Sequence, residues 1–271
     1  MSYPTNSFSF KTLLIGFVVI QLSWTFLGTA LTLLIEPFGS SLIFQYFLLH
    51  LNFILLFALF LIFIKVILKT KVTTFISDAP TFRYSLFFIS FFIWLGAMVG
   101  ATILLSFFKG YSIVATSNYR KGFYPLLVLL VLVLTPLQAF SEELLFRITL
   151  FRMLDKRASN GIIILISSVL FGFAHLANKE VVLANSKVLV ISYYLITGAM
   201  FTYLVIKTRG SEIAIAFHTA NNLFIALFVT YQGSTLENFA LFKLNRASIE
   251  LDLILLFICS ALVLRIYQSQ K

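Results

Sequence analysis

Charge is scarce in this 271-residue chain: Asp, Glu, Lys and Arg make up only 11% of it, against 60% apolar and 17% aromatic residues. Too little polar side chain remains to cover a water-exposed globule, which excludes an ordinary soluble domain. Cysteine is scarcer. The single Cys259 permits no intrachain disulfide and no CxxC or Cys/His metal box. A basic stripe is also missing, because the net charge of +10 is scattered over short segments between apolar runs, which removes nucleic acid as a partner.

What the chain has is long apolar runs rich in its 32 Phe. A helix needs roughly 20 predominantly apolar residues to cross the hydrocarbon core. Cutting wherever charge, Gly, Pro or Asn interrupts the runs predicts eight spans, over 12–35, 42–68, 84–108, 123–150, 161–177, 188–206, 211–231 and 249–267. The fifth is short, so seven is the alternative count. The first run is too long for a signal-peptide core and is taken as an uncleaved anchor. The fold class is therefore all-α, a polytopic transmembrane bundle. Its expected divisions are a three-span N-terminal region over 1–122, a four-span core over 123–231, and a last loop and span over 232–271.

Basic residues are unequal on the two sides. One side collects Lys11, Lys65, Lys69, Lys71, Arg83, Arg152, Lys156, Arg157, Lys207, Arg209, Arg265 and Lys271, and the other Lys109, Arg120, Lys121, Lys179, Lys187, Lys243 and Arg246. The positive-inside rule then puts both termini in the cytoplasm of a multi-pass membrane protein, expected in a bacterial plasma membrane. Membrane lipids and a peptide or membrane-protein substrate are the expected partners.

Ionisable groups at membrane depth cost about 2.5–3.5 kcal/mol each on insertion scales, so those that persist face the bundle interior and are functional candidates. Here they form three short groups, Glu142-Glu143 with Arg147, Phe171 with His175, and His218 with Asn222. Glu143 and Arg147 stand at i,i+4 with the acid on the N-terminal side, the better orientation for an ion pair, while Glu142 points roughly 100° away. Arg147 can thus neutralise Glu143 and leave Glu142 facing a cavity as a general base and acid. His218 and Asn222, again i,i+4, can together hold a carbonyl oxygen as it gains charge. His175 can orient the water. Counted from Arg157, however, His175 falls near the opposite face from Glu142. Pro136, six residues before Glu142, removes a backbone donor and can open the span. Gly96 and Gly100 form a GxxxG suited to close helix packing.

In order along the chain, Glu-Glu-x-x-x-Arg at 142–147, Phe-x-x-x-His at 171–175 and His-x-x-x-Asn at 218–222 resemble the three motifs of the CPBP family. That family groups type II CAAX prenyl endopeptidases with bacteriocin-processing and immunity (Abi) proteins. The resemblance covers about residues 136–225. It implies an intramembrane endopeptidase whose core is spans four to seven, in which Glu142 activates water, His175 assists, His218 and Asn222 stabilise the oxyanion, and Glu143 and Arg147 are motif partners. The family has been described both as metalloproteases and as metal-free glutamate proteases. No cofactor is favoured here, since there is no His-Glu-x-x-His; a zinc ion would have to be held by Glu142, His175 and His218 from three helices. The rival readings are a proton-coupled transporter built on the same polar residues and a catalytically silent adaptor or immunity protein.

Overall fold

The computed structural model describes residues 8–270, so Lys271 of the charge count lies outside the described residues. Helix α1 covers Phe10–Ile35 and α2 Leu42–Ile62, the latter running into a π-helical turn at Phe63–Ile67. A short α3 (Val72–Ile76) precedes α4 (Tyr84–Ser106). Helix α5 (Tyr124–Glu143) continues through a π-helical segment, Leu144–Thr149, into α6 (Leu150–Leu154). Then come α7 (Asn160–Ala174), the one-turn α8 (Lys179–Val182), α9 (Lys187–Thr208), α10 (Glu212–Leu227) and α11 (Ile249–Ser269). Serine side chains start four of them, with Ser9, Ser41, Ser159 and Ser186 each accepting from a backbone N–H in the first turn.

The chain is an all-α polytopic membrane bundle, and each of the eight expected spans corresponds to a helix. Five segments are long and apolar enough to cross a bilayer by themselves: Phe10–Phe38, Leu42–Ile67, Tyr84–Ser106, Tyr124–Leu154 and Lys187–Thr208. Helices α7 and α10 are shorter, about 22 and 24 Å at 1.5 Å per residue. Helix α10 can be short because it is shielded from lipid, whereas α7 turns Ile162, Leu165 and Phe173 outward. Nearly every residue of α10 is buried, packed by α4, α5 and α9. On the outer helices the pattern inverts, with Phe26 and Leu34 of α1 each 68% exposed, as apolar side chains facing acyl chains require. Gly96 and Gly100 face open space, so the GxxxG of α4 packs against no helix among the described residues.

Consecutive helices run between two ends that are built differently. At one end the 72–83 segment is tied down by ions. Arg152 donates from Nε to the Phe75 carbonyl at 2.8 Å and pairs with Asp78. Arg209 reaches Asp78 at 2.6 Å and Asp155 at 2.8 Å, and Arg83 grips both carboxylate oxygens of Glu212. Burial pushes the Asp78 carboxyl up, but the two guanidinium groups outweigh it and hold the group below its ordinary range. At the other end three short strands pair in the order β1 (Ile113–Ala115), β3 (Phe242–Leu244), β2 (Val229–Tyr231). Strands β1 and β3 are antiparallel with Ile113 opposite Leu244; β2 and β3 are parallel with Val229 opposite Phe242. The expected seventh span therefore ends at Leu227, and its last residues join this sheet.

Helices α7 and α9 approach closely at Gly198, where a Cβ would come within 3.0 Å of the Ser168 Cα. Hydroxyls fasten the contact: Thr202 donates to Ser167, Ser167 to the Phe146 carbonyl and Ser168 to the Leu195 carbonyl, each at 2.6 Å. Small residues and hydroxyls of this kind let helices meet in lipid, where apolar packing alone gives little preference. Removing the shared anion at the opposite corner should be costly. Asp78→Ala leaves Arg152 buried and unpaired and is expected to cost roughly 3–5 kcal/mol, read as a lowered unfolding temperature of the detergent-solubilised protein.

Candidate active site

The site is built where α5 passes into its π-helical segment. Every residue from Ser141 to Met153 is buried, so the two glutamates and Arg147 sit in the protein interior and not against lipid. Single π-turns inside helices are uncommon and concentrate at functional sites. Here Thr149 donates to the Leu144 carbonyl at 2.7 Å, which satisfies an acceptor the widened turn exposes.

Glu142 and Glu143 have different surroundings. Glu142 Oε1 accepts from Gln138 at 3.1 Å, one turn earlier on the same helix. Its other oxygen, Oε2, is buried without a hydrogen bond among the described residues. It faces two imidazoles, His175 Nε2 at 3.6 Å and His218 Nε2 at 3.9 Å. Glu143 instead accepts from His218 Nδ1 at 2.8 Å, and the Arg147 guanidinium lies 3.4 Å away. The i,i+4 pair expected from the sequence is present, but His218 is the nearer partner.

The imidazole partners fix both tautomers. His175 Nδ1 lies 2.7 Å from the Phe171 carbonyl, an acceptor only, so Nδ1 carries the proton. His218 Nδ1 likewise donates to the Glu143 carboxylate. Both rings therefore turn Nε2 towards Glu142 Oε2, and the three atoms converge on one point. The separations exceed a direct hydrogen bond and suit a shared water. Among the described residues no group of three or more His, Cys, Asp or Glu side chains stands at metal-binding spacing.

Phe171 is the platform beneath this arrangement. The Arg147 guanidinium lies over its ring at 3.8 Å, and the His175 ring packs at 4.2 Å on the same side chain. Arg147 is wholly buried, and its guanidinium nitrogens make no hydrogen bond among the described residues, so the aromatic face and the Glu143 charge are what stabilise it. Depth proves compatible. Helix α7 begins at Asn160 and not at Arg157, which puts His175 about 22 Å along it, against about 18 Å from Leu154 back to Glu142.

A cavity of about 1120 Å³ opens above the glutamate. His218, Asn222 and Asn221 line it, and Asn221 donates to the Asn222 side-chain oxygen at 3.1 Å. Sequence patterns gave no sign of Tyr194 and Glu180. Tyr194 stacks on His175 at 4.3 Å and donates to Glu180, whose second oxygen accepts from Thr235 through both its backbone N–H and its hydroxyl. Glu180 thereby straps the 232–237 loop over the cavity beside His175. Glu237 completes the strap, accepting from Lys179, Lys243 and the Gly233 N–H. Gln138 was not singled out from the sequence, though its place one turn before Glu142 is a signal that could have found it; Tyr194 and Glu180 belong to no spacing pattern.

Burial pushes the Glu180 carboxyl up, but its bonds from Thr235 and Tyr194 prevail and hold it below the ordinary carboxylate value. Glu237 is pulled down to about 2, first by Lys179. A depressed folded-state pKa stabilises above the ordinary value and is lost as pH falls. The strap is thus expected to hold at neutral pH and loosen as pH drops from 4.5 towards about 2, seen as loss of hydrogen-exchange protection at Gly233 and Thr235 after correction for intrinsic rates.

Residues 124–224 match a family model described as type II CAAX prenyl endopeptidase Rce1-like. The uncharacterized protein YyaK of Bacillus subtilis (strain 168) is 38% identical over 104 residues, which are 38% of this chain and 34% of that protein. The chain thus matches about a third of this relative's length. No solved structure matches. The matched segment holds Glu142, Glu143, Arg147, Phe171, His175, His218 and Asn222, so the similarity to that family falls on the residues of the three motifs.

Proposed function

We propose that this chain is an intramembrane endopeptidase that hydrolyses a peptide bond of a membrane-associated or prenylated substrate with a water activated by Glu142. The observation that carries the reading is the convergence of an unbonded Glu142 oxygen and two imidazole Nε2 atoms on the wall of a large cavity. A water at that point gives a hydrogen bond to His175 Nε2 and its other proton to Glu142 as it attacks the scissile carbonyl. A C–O bond forms, and the carbonyl oxygen gains charge beside His218 and Asn222. His218 can donate from Nε2 only when doubly protonated, with Glu143 balancing its charge. Glu142 then returns the proton to the departing amine as the C–N bond breaks, leaving a carboxyl and an amine terminus.

Conversion of Glu142 to Gln keeps its shape and removes the base. In cells expressing either protein at equal abundance, N- and C-terminal peptide mass spectrometry of membrane and secreted fractions is expected to show cleavage products that vanish in Glu142→Gln. Asn222→Ala should retain residual cleavage, lowered by about 10²–10³-fold, as expected for one oxyanion donor. Identical peptide sets with and without Glu142 would refute hydrolysis and favour the adaptor reading.

A further inference from the structure

The direction from which the site is reached follows from the two unlike ends of the bundle. Beside Glu142 and the histidines, the cavity is lined within the bundle by Trp24, Phe53 and Trp94 and towards the sheet end by the 183–186, 231–237 and 245–250 segments, where Asn185 and Gln232 are exposed. The ion-paired end is shut. Phe75, Ile76, Ser77, Arg152, Thr208 and Glu212 are buried there, and none of them lines the cavity.

Charge distinguishes the ends as well. Among the described residues the ion-paired end carries eleven of the basic residues counted on its side, Lys271 being the twelfth, and the sheet end seven. Three of the twelve, Lys65, Lys69 and Lys71, ring a shallow concavity where α2 leaves the apolar zone, with Val66 and Ile67 exposed beside them. No acidic side chain pairs with these lysines among the described residues; the nearby Asp78 is committed to Arg152 and Arg209. Unneutralised lysines at the foot of a span suit the anionic cytoplasmic leaflet and oppose translocation. Acids follow the opposite bias: Glu36, Glu180, Glu237, Glu250 and Asp252 lie at the sheet end, and Asp78, Asp155 and Glu212 at the ion-paired end.

We infer that the ion-paired end is cytoplasmic and that the cavity admits its substrate from the extracytoplasmic face. This rests on the hydrolase reading for the word substrate, and it narrows the class. The favoured substrate is a peptide or membrane-anchored segment exposed outside the cytoplasm, such as one emerging from secretion, and the C-terminus of a cytoplasmic prenylated protein is disfavoured.

Thiol labelling tests the direction without needing cleavage. In a Cys259→Ser background, single-cysteine variants Asn185→Cys and Gln232→Cys mark the mouth and Lys71→Cys marks the opposite end. Intact cells are treated with a membrane-impermeant maleimide, with a cytoplasmic thiol protein as the impermeability control. Lysed membranes and size-exclusion elution in detergent establish that each variant is folded and reactive. Asn185→Cys and Gln232→Cys are expected to label as fully in intact cells as after lysis, and Lys71→Cys only after lysis. Labelling of Lys71→Cys alone in intact cells would overturn the direction, as would labelling of both ends. A reversed pattern would leave hydrolysis itself to be judged by Glu142→Gln, so the two claims fail separately.

Discussion

Two carboxylates and one guanidinium buried within a membrane bundle each need a partner, because isolated buried charge costs several kcal/mol per ion. Glu142, Glu143 and Arg147 are all in the core, and Arg147 and Glu143 have no exposed surface. Glu143 is met by His218 Nδ1 at 2.8 Å and Arg147 at 3.4 Å, and Glu142 Oε2 faces the Nε2 atoms of His175 and His218 at 3.6 and 3.9 Å. In the hydrolysis we propose, Glu142 must take a proton from water and hand it to an amine, so partnering the buried charge and positioning the proposed base fall to one set of atoms.

The surrounding fold can be understood as support for that set. Phe171 holds Arg147 and His175 on one aromatic ring, and the hydroxyl chain from Thr202 through Ser167 to Phe146 locks α7 against the π-helical segment that carries Arg147. The short helices α7 and α10 carry the histidines; α10 is enclosed along nearly all its length, and α7 turns Ile162, Leu165 and Phe173 outward. Long apolar helices α1, α2 and α4 meet the bilayer around them. The ion-paired end closes the bundle beneath, and the strapped end leaves a cavity above.

Much of this was legible in the sequence. Eight apolar runs gave eight helices, because in a bilayer the backbone has no alternative partner and hydropathy reports the element directly. The three polar groups were found by rarity: a glutamate in an apolar run stands out as a surface glutamate does not. What escaped was whatever depends on the third dimension. Periodicity assigned Arg147 to Glu143, but His218, 75 positions away, is the closer partner. The three-residue strands lie below any pattern length, and 229–231 was read as the end of a span. Tyr194 hides among apolar neighbours in α9, and its stacking on His175 follows from how α7 and α9 pack at Gly198. The supposed depth mismatch of His175 came from counting from the last basic residue instead of the first helical one.

Glu142 Oε2, His175 Nε2 and His218 Nε2 converge on one point, and a structure of the protein in lipid nanodiscs, at a resolution that shows ordered solvent, tests the water proposed there most directly. The expected result is one water within hydrogen-bond distance of Glu142 Oε2 and His175 Nε2, with His218 Nδ1 still on Glu143 and Asn222 facing the same space. A Glu142 carboxylate turned away into a direct pair with Arg147, or bonded straight to an imidazole with no solvent between them, would contradict it.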